Sequence, residues 1–347
     1  MRSKSPRRGC PRRNFLKGAA GTAAAVGLGA CGGGGSDSPA SPSTPTTPAT
    51  PTAARAPRAR RPNPFVAANG RPILVSVEGR DFPAMLERGL TSLGGLGRLI
   101  PGDSHVLVNP NFNMAEPYPG ISRASSVADV VGAVREVTTG TIAVADEGYD
   151  PGPSVYAYLD LHDTVEDAGG QVGGFDSTYA VRREAWAVSK PNFEVYTLAY
   201  DAPVILSLCN VKRHQLAGYS CAIKNNVGIV PGSGMSFTRS YLHRESPDFL
   251  GELAEIAALV NPELFIVDAQ MVLARRGPSS SAGEPVEANR LVLCGDMVAT
   301  DAYCTRLLQA YDPTWAAVRA DTLLRQAAQL GLGQPDLGEV EVRELTV

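Results

Sequence analysis

Four residues whose side chains can bind anions or move protons lie close together in the second half of the sequence. They are Lys212, His214, Lys224 and His243. The chain contains 27 Arg but only five Lys, and a Lys kept against that background indicates a need for a compact ammonium group on a flexible stem. Lys212 and His214 are two residues apart and share one face of an extended chain. We expect this group to bind an anion or transfer a proton, because His titrates near neutrality and a desolvated Lys can approach it.

A purely structural role is the alternative for the same residues. His214 and His243 would then donate hydrogen bonds to backbone carbonyls, and Lys224 would cap the end of a helix. The two hypotheses differ in whether the side chains converge in a concave pocket.

Carboxylates follow other apolar segments of strand length. Asp268 directly follows Leu264–Val267, a position where a carboxylate can orient a Lys or ligate a metal, whose identity stays open. Asp146 and Glu147 come after the run 141–144 in the same way. Asp301 is interpreted differently, as a cap, because it lies near the start of a predicted helix.

The elements that must position these residues alternate along the chain. Short β-branched runs that are apolar on both faces predict buried strands at 73–77, 105–108, 141–144, 203–206, 264–267 and 291–293. Helical spacing of apolar residues predicts helices at 126–137, 154–168, 248–260, 300–310 and 313–330. This order predicts one α/β domain over residues 63–347, with a mainly parallel or mixed sheet flanked by helices. Alternating polarity predicts an antiparallel insertion around 172–200. The dense stretch that follows Val204–Leu208 then lies at the carboxyl edge of the sheet, where open α/β sheets bind ligands.

The N-terminus has the order of an export signal. Arg12 and Arg13 precede an apolar run rich in Ala and Gly, which is too short and too Gly-rich for a membrane span. The paired arginines are typical of the twin-arginine route, and Leu28 to Cys31 resembles a lipobox. Residues 1–31 are therefore predicted to be a signal whose Cys31 receives the lipid, with a soluble export signal as the alternative. Gly32 in place of an Asp favours the outer membrane, with the domain facing the periplasm or the cell exterior.

Residues 32–62 are mostly Gly, Ser, Pro, Thr and Ala, a composition that predicts a disordered tether. Residues 1–61 carry a net charge of +10 and leave −13 for residues 62–347. An acidic domain disfavours a broad basic surface for nucleic acid. The expected partners are the membrane, through Cys31, and a small anionic ligand; a protein partner is left open.

The cysteines of the domain do not form a metal-cluster motif. Cys209, Cys221, Cys294 and Cys304 contain no C-x-x-C spacing. Disulfides such as Cys209–Cys221 or Cys294–Cys304 fit an oxidising compartment. Four buried thiols are the alternative.

Several motifs resemble a family of bacterial and archaeal proteins grouped as the domain of unknown function numbered 362. The most specific is the run from Lys224 to Gly228, preceded by Lys212-x-His214 and followed by His243. Other landmarks occur in the same order, namely Val106 to Asn111, Ile266 to Ala269, Gly277-Pro278 with Gly283, Ala299 to Ala302 and Gly331 to Gly333.

The resemblance implies ligand-binding roles for the polar residues inside these motifs, which are Asn109, Asn111, Asn225, Gly228 and Asp268. Members usually carry a Lys where this chain has Asn109, so the resemblance implies a cation lost there. Many relatives carry a ferredoxin-like module and an iron–sulfur label, which is not transferred because this chain lacks those cysteines; other cofactors stay open. The leading expectation is an enzyme of unspecified reaction. A non-catalytic binding protein for a small anion and an accessory subunit of an envelope redox complex are the alternatives.

Overall fold

A mixed, mostly parallel β-sheet forms the centre of the computed structural model, which describes residues 54–149, 152–182, 193–232, 242–243 and 246–347. Its strands follow the order β11-β1-β10-β9-β7-β2-β3-β4, and β8 extends β7 as a hairpin. A separate pair, β5 and β6, is antiparallel. The strands are β1 (Ile73–Glu78), β2 (Val106–Asn109), β3 (Ile142–Val144), β4 (Gln171–Val172), β5 (Thr178–Val181), β6 (Phe193–Tyr196), β7 (Val204–His214), β8 (Gly218–Ser220), β9 (Leu264–Arg275), β10 (Glu284–Cys294) and β11 (Glu341–Thr346).

Helices cover both faces of this sheet, which is why β2 and β3 are buried throughout and β7 and β9 over most of their length. They are α1 (Phe82–Leu93), α2 (Ala124–Arg135), α3 (Gly152–Tyr158), α4 (Leu161–Asp167), α5 (Thr197–Asp201), α6 (Ala222–Asn225), α7 (Phe249–Val260), α8 (Met297–Tyr311) and α9 (Val318–Gln329). Helices α1, α2 and α4 pack with one apolar core, and α6 to α9 pack with the other. Short 3₁₀ turns lie at Leu96–Arg98, Asn226–Ile229 and Leu337–Glu339.

Local capping fixes where the longer helices begin. The side chain of Asp81 accepts from Ala84 N before α1, and Asp248 accepts from Gly251 N before α7. Asp296 does the same for α8, which begins three residues earlier than the spacing of apolar residues predicts. Asp301 is therefore inside α8 and is not the cap of that helix, so this interpretation is wrong.

The predicted α/β class with an antiparallel insertion is confirmed. Strands β2, β3, β4, β7 and β9 run parallel, whereas β5 and β6 form the antiparallel pair expected within 172–200. Strand β7 is longer than its apolar run because polar residues continue to pair, with β8 on one side and β9 on the other. Lys212 and His214 consequently lie in a strand, and both line the same cavity.

The last part of the predicted tether is bound to the domain. The side chain of Arg58, 6 % exposed, pairs with Glu263 at 2.9 Å, and Glu263 also accepts from the backbone of Arg61 and Ile205. Arg58 and Arg60 further donate to backbone carbonyls at 202–203, 260–263 and 295. Residues 58, 60 and 61, which the composition assigns to the tether, thus contact the domain. The composition of this segment shows only that it has few apolar residues to bury. It does not show that the guanidinium groups of Arg58 and Arg60 donate to backbone carbonyls far away in the sequence.

The four cysteines of the domain are free, buried thiols. Of the two alternatives, the structure therefore has the one without disulfides. Within the described ranges, no helix is long and apolar enough to cross a membrane. Cys31 and the signal lie outside the described residues.

Candidate functional site

A cavity of about 590 Å³ opens where β2, β3 and β7 end, at the carboxyl edge of the sheet. Its walls contain seven of the residues expected at a site, which are Lys212, His214, Lys224, His243, Asn111, Asn225 and Gly228. Asn113, Met114, Asp146, Glu147, Gly148, Tyr149, Ser220, Val227, Gly232 and Pro278 complete the lining that the structure describes. The convergence in a concave pocket favours the ligand-binding hypothesis over purely structural roles.

Lys212 is the most deeply placed cation of the cavity, with only 2 % of its surface exposed. Its ammonium group donates to Asn111 Oδ1 and to the carbonyl of Gly120, both at 2.6 Å. Burial lowers the pKa of Lys212 to about 8, against the opposing effect of nearby carboxylates that include Glu116 and Asp146. Near neutral pH this amine can therefore both hold and release a proton.

A chain of asparagine side chains links Lys212 to Asp146. Asn111, which accepts from Lys212, donates to Asn225 Oδ1 at 3.2 Å. Asn225 in turn donates to Asn109 Oδ1 at 3.3 Å, and Asn109 donates to Asp146 Oδ1 at 3.0 Å. The chain fixes the amide of Asn111 with its oxygen toward the ammonium group, because its nitrogen is already used.

Asn109 differs from its expected role as a ligand contact. It is 1 % exposed, lies behind the cavity wall, and binds Asp146 and Asn225. It is a positioning residue, and sequence could not show this because Asp146 is 37 residues away.

Gly228 is required by the close approach of Asp146. A Cβ atom at Gly228 would lie 1.6 Å from Asp146 Oδ1, so any other residue would displace the carboxylate. The other oxygen of Asp146 accepts from Phe112 N at 2.7 Å. The run from Lys224 to Gly228 therefore supplies the ammonium group of Lys224, the amide of Asn225 and, at Gly228, the space that the Asp146 carboxylate occupies.

His214 is held in one tautomer by the turn after β7. Its Nδ1 accepts from Leu216 N at 3.2 Å and from Ala217 N at 3.1 Å, so a proton resides on Nε2. Burial, with the nearby Lys224 and His243, lowers the pKa of His214 to about 2. Protonation of Nδ1 would remove both acceptor interactions, so the structure favours a neutral His214. A neutral His214 can still donate a hydrogen bond. The ring of His243 lies 6.3 Å from that of His214.

Lys224 is positioned through Asp301. Both carboxylate oxygens of Asp301 accept from the first amides of α6, Ala222 N at 2.7 Å and Ile223 N at 3.0 Å, and Tyr219 donates at 2.6 Å. Burial raises the pKa of Asp301 to about 6. Asp301 therefore caps the helix that carries Lys224, a long-range contact between α8 and α6 that no local pattern reveals.

Glu116 is a buried acid near Lys212 that the sequence interpretation missed. Its Oε2 accepts from Ser280 N at 2.8 Å, and burial raises its pKa while Lys212 opposes the rise. Ser280 belongs to the Gly- and Ser-rich loop after β9. That loop also binds Gly120, so it supports the carbonyl that accepts from Lys212.

Asp268 does not line the cavity, contrary to its expected role as a ligand contact. It is fully buried, pairs with Arg123 at 2.8 Å, and accepts from Tyr118 at 2.8 Å and Ser126 at 3.2 Å. It also lies within β9, which continues to Arg275, and not at the end of the strand as the sequence predicted. An arginine and a tyrosine contact its carboxylate. Neither partner forms a local pattern with Asp268 in sequence.

Metal ligands form no group of three or more His, Cys, Asp or Glu anywhere in the part of the chain that the structure describes. The cavity instead contains nitrogen donors, from Lys224 and His214, near the titratable amine of Lys212. Together these groups can bind the oxygens of an anion and exchange a proton with it.

The fold and the site define an α/β protein with a polar cavity at the carboxyl ends of the parallel strands of a mixed sheet. The chain belongs to the family described as Domain of unknown function (DUF362), whose model matches residues 106–306. A twin-arginine translocation signal matches residues 10–29, so the protein is exported across the membrane. The expected family and export route are thereby confirmed.

Two individual proteins are similar to this chain. The thylakoid-associated protein sll1697 of Synechocystis sp. is 28 % identical over 273 residues, which cover 74 % of this chain and 79 % of that protein. The lactate racemase apoprotein of Thermoanaerobacterium thermosaccharolyticum matches with a TM-score of 0.39 and 15 % identity. That match covers 67 % of this chain and 55 % of the racemase chain, so the chain spans about half of that structure.

Proposed function

We propose that the domain is an enzyme that binds a small anionic molecule in the cavity and uses Lys212 to transfer a proton. The observation that carries this proposal is the desolvated amine of Lys212, held at 2.6 Å by two acceptors in the wall of a cavity of about 590 Å³. Such a volume suits a small-molecule ligand.

The choice of an anionic substrate follows from the donors around the cavity. Lys212 and Lys224 supply ammonium groups, and the fixed tautomer of His214 supplies an N–H. Ammonium and imidazole N–H donors form their strongest hydrogen bonds with carboxylate or phosphate oxygens. The Asp146 and Glu147 carboxylates, which also line the cavity, offset this positive charge. Their oxygens already accept hydrogen bonds, Asp146 from Asn109 and Phe112 and Glu147 from Tyr196 and Gly232.

Proton transfer is assigned to Lys212 because its pKa of about 8 lies near neutrality. At pH 7 about one-tenth of such an amine is neutral and can accept a proton. The ammonium form that results keeps its bonds to Asn111 and Gly120, so its position does not depend on its protonation state. His214 stays neutral and orients the substrate.

The experiment for this proposal is a ligand screen followed by isotope exchange. The full-length protein is tested by thermal shift against small carboxylates and phosphates, and stabilising compounds are incubated with it in D₂O. ¹H NMR then records loss of C–H signals or conversion of the compound. We expect exchange with the native protein and a rate lower by about 10²–10⁴-fold for Lys212→Met.

His162→Gln is the matched control, because His162 is exposed and outside the cavity lining. This variant should exchange at the native rate. Stabilisation without exchange or conversion would contradict the enzyme proposal and favour a binding protein for small anions. No stabilisation by any compound would contradict both functions.

We also propose that Cys31 carries a lipid that anchors the exported protein, with the outer membrane favoured. The support is the Leu28 to Cys31 sequence, which overlaps the end of the matched export signal at 10–29. Metabolic labelling with a radioactive fatty acid should mark the native protein, while Cys31→Ser should be unlabelled and released from membranes. Labelling of the Cys31→Ser variant would overturn this assignment.

A further inference from the structure

A second cavity, of about 300 Å³, lies beside the first and contains an unusual concentration of positive charge. Three arginines line it, namely Arg213, Arg276 and Arg319, and none of the described residues in its wall is an Asp or a Glu. Residues 62–347 carry a net charge of −13, so clustered arginines here do not reflect the general composition. We propose that this arginine cavity binds an oxyanion of the phosphate class, separately from the cavity of Lys212.

Arg213 forms the fixed wall of the arginine cavity. It lies between Lys212 and His214 in β7 and therefore points to the opposite face of the strand. Its guanidinium group lies 4.2 Å from the ring centre of Trp315 and 2.6 Å from Asp312. The Nε atom of Arg213 is buried and has no hydrogen-bond partner within the described residues. The plane of this guanidinium group is thus set before any ligand arrives.

Arg276 and Arg319 supply the charge at the exposed mouth. The side chain of Arg319, in the first turn of α9, donates to the carbonyl of Leu216 at 2.6 Å and so bridges α9 and the turn after β7. Arg276 directly follows β9 and, unlike its neighbour Arg275, makes no ion pair within the described residues. These two guanidinium groups present the planar, forked donors that suit phosphate oxygens.

Backbone strain is concentrated around the same arginine cavity. Arg276 has φ of 55° and Ala317 has φ of 53°, and both residues line it. Residues other than Gly adopt this left-handed conformation at a cost, and such strain clusters at ligand sites. Gly277 permits the arrangement, because a Cβ atom there would lie 2.1 Å from the carbonyl oxygen of Arg213.

His214 lines both cavities and forms their common wall. An oxyanion bound among the arginines would therefore lie next to a residue of the proposed substrate site. The binding itself depends on the arginines and not on Lys212, so the two proposals can fail independently.

The test uses inorganic phosphate and pyrophosphate as probes, with the full-length protein in detergent and chloride added to keep ionic strength constant. Isothermal titration should show binding to the native protein. The double variant Arg276→Gln with Arg319→Gln should weaken it by at least about tenfold for each lost charged hydrogen bond. Arg325→Gln is the matched control, because Arg325 is an exposed arginine of α9 outside this cavity. It should bind within about twofold of native.

Three results would overturn the proposal. The first is native-like affinity in the double arginine variant, and the second is an equal loss in Arg325→Gln, which would indicate unspecific charge attraction. The third is loss of binding in Lys212→Met with binding kept in the double variant, which would place the anion in the other cavity. Since both substituted arginines are exposed, unchanged thermal unfolding should confirm that the variants are folded.

Discussion

Two buried carboxylates that each follow a short apolar run illustrate how similar sequence positions acquire different roles. Asp146 follows β3 and Asp268 lies within β9, each after a short apolar run. Asp146 is satisfied by an amide and a backbone N–H, and the space beyond it stays open as a cavity. Asp268 is satisfied by Arg123 and Tyr118, whose side chains fill the equivalent space. A carboxylate that follows a short apolar run thus indicates a site only when its partners leave the space beyond it open.

The largest expected effect in this comparison is a loss in the free energy of unfolding when Asp268, the carboxylate without a cavity beside it, is removed. Asp268→Ala would remove the carboxylate that accepts from Arg123 and from the Tyr118 hydroxyl, and would leave Arg123 with the neutral acceptors Gln270 and Ser126. Because the Arg123 side chain is 33 % exposed, we expect a loss of about 2–4 kcal/mol in the free energy of unfolding, below the value for a fully buried pair.

Urea unfolding of this variant and of Asp103→Ala, which removes an exposed carboxylate, provides the measurement. Phosphate or carboxylate binding should be unchanged in Asp268→Ala. A stable variant that loses ligand binding would reverse the roles assigned to the two carboxylates.

The second expected effect is a pH dependence of the free energy of unfolding that comes from Lys212 in the cavity beside Asp146. The pKa of Lys212 is about 8 in the folded protein against an ordinary value of 10.5. Between these values the folded state binds fewer protons than the unfolded state, so the free energy of unfolding rises with pH. This contribution is fully present above the unfolded pKa and is lost as pH falls through about 8.

The difference in unfolding free energy between the native protein and Lys212→Met isolates this contribution from other groups. From pH 7.5 to pH 9.5 we expect the difference to grow in favour of the native protein by roughly 1–2 kcal/mol. Urea titrations at the two pH values measure it. A difference independent of pH would mean that Lys212 titrates as a solvated ammonium.

The strands and helices of the fold could be predicted from the sequence, but the long-range polar contacts around the site could not. Buried strands and amphipathic helices are local patterns, so the α/β class and the antiparallel pair followed from them. The convergence of Lys212, His214, Lys224 and His243 also followed, because one stretch carries them all. The role of Asp301 and the binding of Arg58 depend on contacts across 78 or more residues, which spacing does not encode.

The smallest effect concerns Glu116, the acid that supports Lys212 from the side of the Ser280 loop. Its negative charge favours the ammonium form, so Glu116→Gln should lower the pKa of Lys212 further. At pH 7 the rate of Lys212 with an amine-directed reagent, followed by peptide mass spectrometry, should then rise by about two- to fivefold. Gln keeps the size of the side chain and can still accept from Ser280 N. A slower reaction in Glu116→Gln would contradict the assigned influence of this carboxylate.

The central claim is that Lys212 is a desolvated amine poised for proton transfer in an open cavity. Its pKa can be measured directly by NMR titration of ¹³C-labelled lysine side chains in the full-length protein, with Lys212→Arg used to assign the signal. The account predicts a midpoint near pH 8, well separated from that of an ordinary lysine. A midpoint at or above pH 10 would contradict it, because Lys212 would then stay fully charged at neutral pH and could not act as the base.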